Sequence, residues 1–297
     1  MIIPHYQMPD ALRRCLDTVL GQRLDHGAFE IVVVDNNSAA FPDAVAADYP
    51  GVTFLSEPRP GPGLARNAGV AAARAAVLAF IDADCIAYPG WLQAAVDAVE
   101  ADPRNRVVGG DVRIDFVDPA RLTPLEAYEA VFAYRQKFYI EQRRFSGTGN
   151  LAMGRAVYAA VGPFAGIDTA EDQDWGRRAT AAGYAVQYVA PMCIAHPARQ
   201  SFAELQRKWR RHIAHEFHDH RAAGRPDWRW QLTALAVLAS IPVHGVRMFT
   251  SDRLGGIGHR IAGLGVLVRI RAWRCAEMFR ALSLPQVSGG THWTAAP

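Results

Sequence analysis

The chain has 297 residues, half of them hydrophobic and 21% charged, which suffices for one large α/β domain with an appendage or two modest domains and excludes disorder and fibrous repeats. A formal charge of +3, from 32 basic and 29 acidic residues, is too balanced to mark a nucleic-acid binder. Four scattered cysteines (Cys15, Cys85, Cys193, Cys275) form no CxxC pair, so a zinc knuckle and a disulfide framework are excluded and free thiols in a reducing cytoplasm are expected.

Met1-Ile2-Ile3-Pro4 passes directly into polar residues without the pattern of a secretion signal, so the expected location is the cytoplasmic side. Apolar runs at 1–3, 30–34, 52–55, 77–81 and 107–108 read as strands, each followed by turn chemistry. Helical spacing over 9–21, 63–76 and 89–100 alternates with them, the pattern of βαβ units and a mostly parallel, Rossmann-like sheet. A long helix is expected over 123–143, then a strand at 150–153, helices from 154 and over about 169–182, and a last strand at 186–189. Beyond residue 198 the character turns helical, aromatic and basic, so the predicted domains are 1–198 and 199–297. The apolar run 232–246, about fifteen residues, falls short of the about 20 that span a bilayer. Interfacial membrane contact and helical packing on the catalytic domain both fit this region, in which Arg269, Arg271, Arg274 and Arg280 are interspersed.

Phe80-Ile81-Asp82-Ala83-Asp84 is an apolar strand ending in two carboxylates. In extended backbone, residues two apart point the same way, so both would face one hard divalent cation, which would neutralise a pyrophosphate leaving group. A solvated turn is the plain alternative. Asp35, closing the run Glu30-Ile31-Val32-Val33-Val34, sits where α/β sheets bind ligands, and its carboxylate suits a nucleobase edge or ribose; Asx-turn capping explains it equally. The turn Pro60-Gly61-Pro62-Gly63 runs into a helix carrying Arg66, whose guanidinium fits a phosphate, yet matches neither a P-loop nor a dinucleotide fingerprint. Glu171, Asp172 and Asp174 fall in the first turn of a helix, where acids are ordinary dipole chemistry but where one carboxylate could also take a proton from an acceptor hydroxyl. His196 becomes credible as a metal ligand only beside a carboxylate pair.

Taken in order, Ile2-Ile3-Pro4-His5-Tyr6, Val34-Asp35-Asn36-Asn37-Ser38, Gly63-Leu64-Ala65-Arg66-Asn67-Ala68-Gly69, Asp82-Ala83-Asp84, Gly149-Asn150-Leu151-Ala152-Met153 and Glu171-Asp172-Gln173-Asp174-Trp175 resemble a family 2 glycosyltransferase over residues 1–197. The resemblance implies a GT-A fold with a C-terminal helical extension and an inverting transfer from a UDP- or GDP-sugar to a saccharide or lipid-linked acceptor. It implies Asp172 as base, Asp84 as ligand of Mg²⁺ or Mn²⁺ with Asp82 beside it, and His196 as an extra ligand. Asp35 would meet the base and Arg66 the nucleotide, with Pro4, Tyr6, Asn37, Asn67, Glu171 and Trp175 at the substrate. Arg207 or Arg210 would reach the pyrophosphate from a mobile loop. His5 and Gln7 depart from the usual Thr and Asn, and no QxxRW motif follows, so a processive polymer synthase is not implied. A nucleotidyltransferase lacks its glycine-rich N-terminal signature here, and a silent sugar-binding scaffold would not need both Asp84 and Asp172.

Overall fold

The computed structural model describes residues 1–167 and 169–283, so the predicted 199–297 domain is described as far as Ser283. The chain divides into two compact units, one of Met1–Arg113 with Arg135–His196 and one of Ile114–Tyr134 with the chain from Pro197 onward.

In the first unit β1 (Ile2–His5), α1 (Pro9–Leu20), β2 (Val32–Asp35), α2 (Asp43–Asp48), β3 (Thr53–Ser56), α3 (Pro62–Ala72) and β4 (Val77–Ile81) alternate as expected. Proline opens α1 and α3, where its missing N–H costs nothing, and α1 buries Leu12, Cys15, Leu16 and Val19 along one stripe. There follow β5 (Ile86–Ala87), α4 (Trp91–Glu100) and β6 (Val107–Asp115). After α5 (Pro124–Phe132) come α6 (Gln136–Arg143), β7 (Asn150–Gly154), α7 (Arg155–Val161), α8 (Glu171–Ala181) and β8 (Val186–Pro197). The eight strands lie in the order β3-β2-β1-β4-β7-β6-β8-β5. The half β3-β2-β1-β4 is parallel, while β7 runs antiparallel to both β4 and β6, and β5 antiparallel to β8. Ile2, Val32, Val34, Leu78, Phe80, Leu151, Met153 and Trp175 fill its core, each large apolar side chain contributing about 1.5–3 kcal/mol by its removal from water.

Two expectations change here. The long helix predicted over 123–143 is broken, because Tyr134 takes a left-handed φ of 42° between α5 and α6. Residues 114–134, expected in the catalytic domain, belong to the second unit because α5 buries Leu125, Tyr128 and Val131 in a core with Met248, Leu267 and Ile270. A capping box of Thr123 and Glu126 starts α5.

The second unit continues with α9 (Phe202–Ala222), α10 (Asp227–Ala239), α11 (Ile241–Thr250) and α12 (Ile257–Ser283). Gly263 lets α12 close on α5, since a Cβ there would lie 3.1 Å from the Tyr128 backbone nitrogen. The apolar stretch judged too short to span a bilayer is longer in three dimensions. Ser240 keeps helical dihedrals and Pro242 enters the first turn of α11, where it is tolerated, so helix covers almost all of Asp227–Thr250. Those 24 residues, whose most apolar 18-residue window has mean hydropathy 1.5, are by length and composition enough to cross a membrane, and Leu232, Leu235, Leu238, Val243 and Val246 are exposed.

Candidate active site

The parallel register sets His5 opposite Asp35, and the pairing is chemical as well as geometric. His5 Nδ1 lies 2.9 Å from Asp35 Oδ1, while the Met8 backbone N–H donates to His5 Nε2 at 3.2 Å. Because Nε2 must accept, Nδ1 carries the proton and donates to Asp35. Asp35 Oδ2 accepts from the Ser38 backbone N–H, so both oxygens of this buried carboxylate already have protein partners. Asn36 pins the following loop, accepting from Gly61 N–H and donating to the carbonyls of Glu57 and Arg59. Glu57 is held down at about 2 by hydrogen bonds from Arg59. Asn37 is exposed and turns the chain at φ 62°, a conformation asparagine tolerates. Pro4 is half-buried, and Tyr6 stands 48% exposed beyond the end of β1.

The carboxylates after β4 do not share an extended backbone. Cys85 N–H donates to the Asp82 carbonyl at 3.0 Å, closing a turn over 82–85 that sends the two side chains to different partners. Asp82 Oδ1 accepts from Arg66 at 2.6 Å, and Arg66 also donates to Glu171 at 3.0 Å. Arg66 is thus a buried bracket between two acids, its Nε without a partner. Gly149 borders this cluster, since a Cβ there would fall 2.4 Å from Asp82 Oδ2. Asp84 Oδ2 meets His196 Nε2 at 3.2 Å, and Cys85 Sγ completes a group with all ligand atoms within 4.8 Å of one another. Burial raises the Asp84 carboxyl above its ordinary range against the pull of His196, and burial pushes the Cys85 thiol well up. Cys85 escaped sequence reasoning, though its place directly after Asp84 was a signal.

Of the three acids opening α8, two are spent: Glu171 on Arg66 and Asp174 on Arg178 at 2.9 Å. Asp172 has no ion pair among the described residues and accepts only the Gln173 backbone N–H, at 2.7 Å. Burial, reinforced by the negative charge of Glu171, pushes its carboxyl up to about 6. Asn67 and Trp175, expected at the substrate, both have protein partners. Asn67 accepts from Tyr158 Oη and Phe164 N–H and donates to the Phe164 carbonyl. Trp175, 1% exposed, donates to the Gly162 carbonyl and packs on Phe164 inside the core. Arg207 and Arg210 lie on helix α9 rather than on a loop, and Arg210 pairs with Glu277 at 2.9 Å.

Parallel strands whose carboxyl ends gather acids and an imidazole form the ligand-binding end of an open α/β sheet. The family model for glycosyl transferase family 2 matches residues 1–167. Glycosyltransferase AglE of Haloferax volcanii is 31% identical over 70% of this chain and 69% of its own length. The glucosyl-dolichyl phosphate glucuronosyltransferase of the same organism is 29% identical over 55% of this chain and 51% of its own. In fold, the Pyrobaculum calidifontis mannosyltransferase PcManGT, solved with GDP-Man and Mn²⁺, covers 95% of this chain and 73% of its own with TM-score 0.52 at 18% identity. The chain belongs to glycosyltransferase family 2.

Proposed function

We propose that this glycosyltransferase moves a sugar from a UDP- or GDP-sugar to a hydroxyl of a saccharide or lipid-linked acceptor with inversion at the anomeric carbon, using Asp172 as general base. The observation that carries the reading is the pairing pattern on α8, where Asp172 alone of three acids lacks a cation and titrates near neutrality. In the transfer, the acceptor oxygen forms a bond to the anomeric carbon as the bond to the nucleoside diphosphate breaks, and the hydroxyl proton passes to the Asp172 carboxylate.

Asp84 and His196 fit a divalent ion, because a carboxylate and an imidazole converge where Mg²⁺ or Mn²⁺ finds suitable donors, whereas the Cys85 thiol suits neither. Bound there, the ion would neutralise charge developing on the leaving diphosphate. Asp82, held by Arg66, is the further donor beside them. Pro4 and exposed Tyr6 offer an apolar edge to the nucleotide base, with Asp35 and Asn37 at the neighbouring strand end. The donor class is supported by the ligands of PcManGT, and a lipid-linked acceptor by the name of the glucuronosyltransferase relative. We place the enzyme at the cytoplasmic face of the membrane, held there by the exposed apolar residues of α10 and α11. A panel of nucleotide sugars assayed with and without Mn²⁺, with the product anomer read by NMR, tests the reading. Retention of the donor's configuration or indifference to metal would overturn it.

A further inference from the structure

The helical unit carries cations that its own acids do not neutralise. Arg274 on α12 is 7% exposed, yet among the described residues it makes no hydrogen bond and no ion pair, and its Nε is buried without a partner. Its guanidinium lies 3.4 Å from the centre of the Trp209 ring, and the acid acting on it from a distance is Glu216. Arg271, one turn earlier, also buries an unpartnered Nε, facing Tyr128. Lys208 on α9 is half-buried, without an ion pair among the described residues, with its ammonium 5.7 Å from the Tyr134 ring centre. Three other acids of the unit are committed elsewhere. Glu129 is bound by both the backbone and the guanidinium of Arg199, Glu277 holds Arg210 and Arg280, and Glu126 caps α5.

Other cations of this unit are satisfied by the protein, as Arg260 is by four carbonyl contacts to residues 248–254, so lack of partners is not general here. A buried guanidinium without a counter-charge is costly, and a cation–π contact recovers only part of that cost. The cluster behaves electrically as a site short of an anion. Burial, Arg199, Arg211 and Arg274 together bring Lys208 down to about 8 against the opposing pull of Glu129, and burial with Arg271 brings Arg274 to about 10.

We infer that Lys208, Arg271 and Arg274 form a phosphate-binding site in the helical unit, one that takes a phosphate group either free or carried on a lipid. Guanidinium forks and an ammonium converging from α9 and α12 are the donors such an anion selects. The inference goes beyond the proposed transfer reaction and does not depend on it.

Calorimetry on the full chain in EDTA, which removes any metal-dependent donor binding, tests it with inorganic phosphate and with vesicles of phosphatidylcholine alone or with phosphatidic acid. At pH 8 binding should proceed with proton uptake, because an anion beside Lys208 restores its proton. Arg274→Met and Lys208→Met should each weaken binding at least tenfold. Thermal melts verify folding, and Lys208→Met preserves the test should Arg274→Met fail to fold. Binding of inorganic phosphate lost in the variants supports a free ligand. Binding of phosphatidic-acid vesicles alone, lost in the same variants, supports a lipid-borne one. Because α10 and α11 can hold the chain to any vesicle, the lipid arm is read as the excess of phosphatidic-acid over phosphatidylcholine binding; no phosphate binding together with no such excess, or either one retained in both variants, overturns the site and leaves the transfer reading untouched.

Discussion

Asp172→Asn isolates the proton-accepting step from everything else the site does. Its carboxyl titrates at about 6, so about nine-tenths is ionised at pH 7 and about one-tenth at pH 5. Transfer by the native enzyme should therefore fall about tenfold between those values, with an apparent pKa near 6 in the limb. The asparagine keeps the side chain's size but cannot take a proton, so transfer should drop by about two to four orders of magnitude and the residual rate should lose the limb at 6. Donor binding should stay within about twofold, because the base acts on the acceptor side. Stability moves the other way. A folded-state pKa raised from 3.8 to about 6 means that ionised Asp172 disfavours the fold, a penalty complete above about pH 6 and relieved as pH falls toward 4. The variant should thus melt no lower than the native chain at pH 7.5. Initial rates from pH 5 to 8 with saturating donor, donor calorimetry and a thermal melt provide the three readouts. Normal transfer by Asp172→Asn, with Glu171→Gln or Asp174→Asn dead, would refute the assignment.

Asp84→Ala should abolish Mn²⁺-stimulated turnover with an unchanged circular dichroism spectrum, since its carboxylate stands on a turn beyond β4; undiminished stimulation refutes the metal assignment. Arg66→Met leaves the partly exposed Asp82 and Glu171 without their shared cation and should cost about 1–3 kcal/mol in urea denaturation, less than a fully buried pair because water screens both acids. A cost below about 1 kcal/mol would show that the bracket is dispensable. Vesicles with anionic lipid should sediment the full chain at low salt, and Leu235→Glu on the exposed face of α10 should weaken this at least fivefold; a chain that stays in the supernatant makes α10 and α11 packing elements.

Much of this enzyme is written locally. The apolar runs and proline-started helices gave the parallel half of the sheet, and the ordered short motifs gave the family, because strand period, helix spacing and turn chemistry act over a few residues. Asp172 was singled out within its acidic cluster by the family motif. Long-range proximity decided the rest. Arg66 and Glu171 are 105 residues apart, and only folding shows that Arg66 brackets two acids. His5, which looked like a departure from the family pattern, becomes the partner of Asp35 once β1 and β2 are in register. The 82–85 turn broke the two-residue alternation on which the carboxylate geometry had been reasoned, placing Asp84 with His196, 112 positions further along the chain. Trp175 looked like a ligand contact by position and proved to be core, because burial is a property of what packs around a side chain and not of its neighbours in sequence. For the same reason the sequence marks the last third as basic without telling which of its cations stand alone. Their lack of counter-charges appears only where the fold brings Lys208, Arg271 and Arg274 out of water while spending the nearby acids elsewhere.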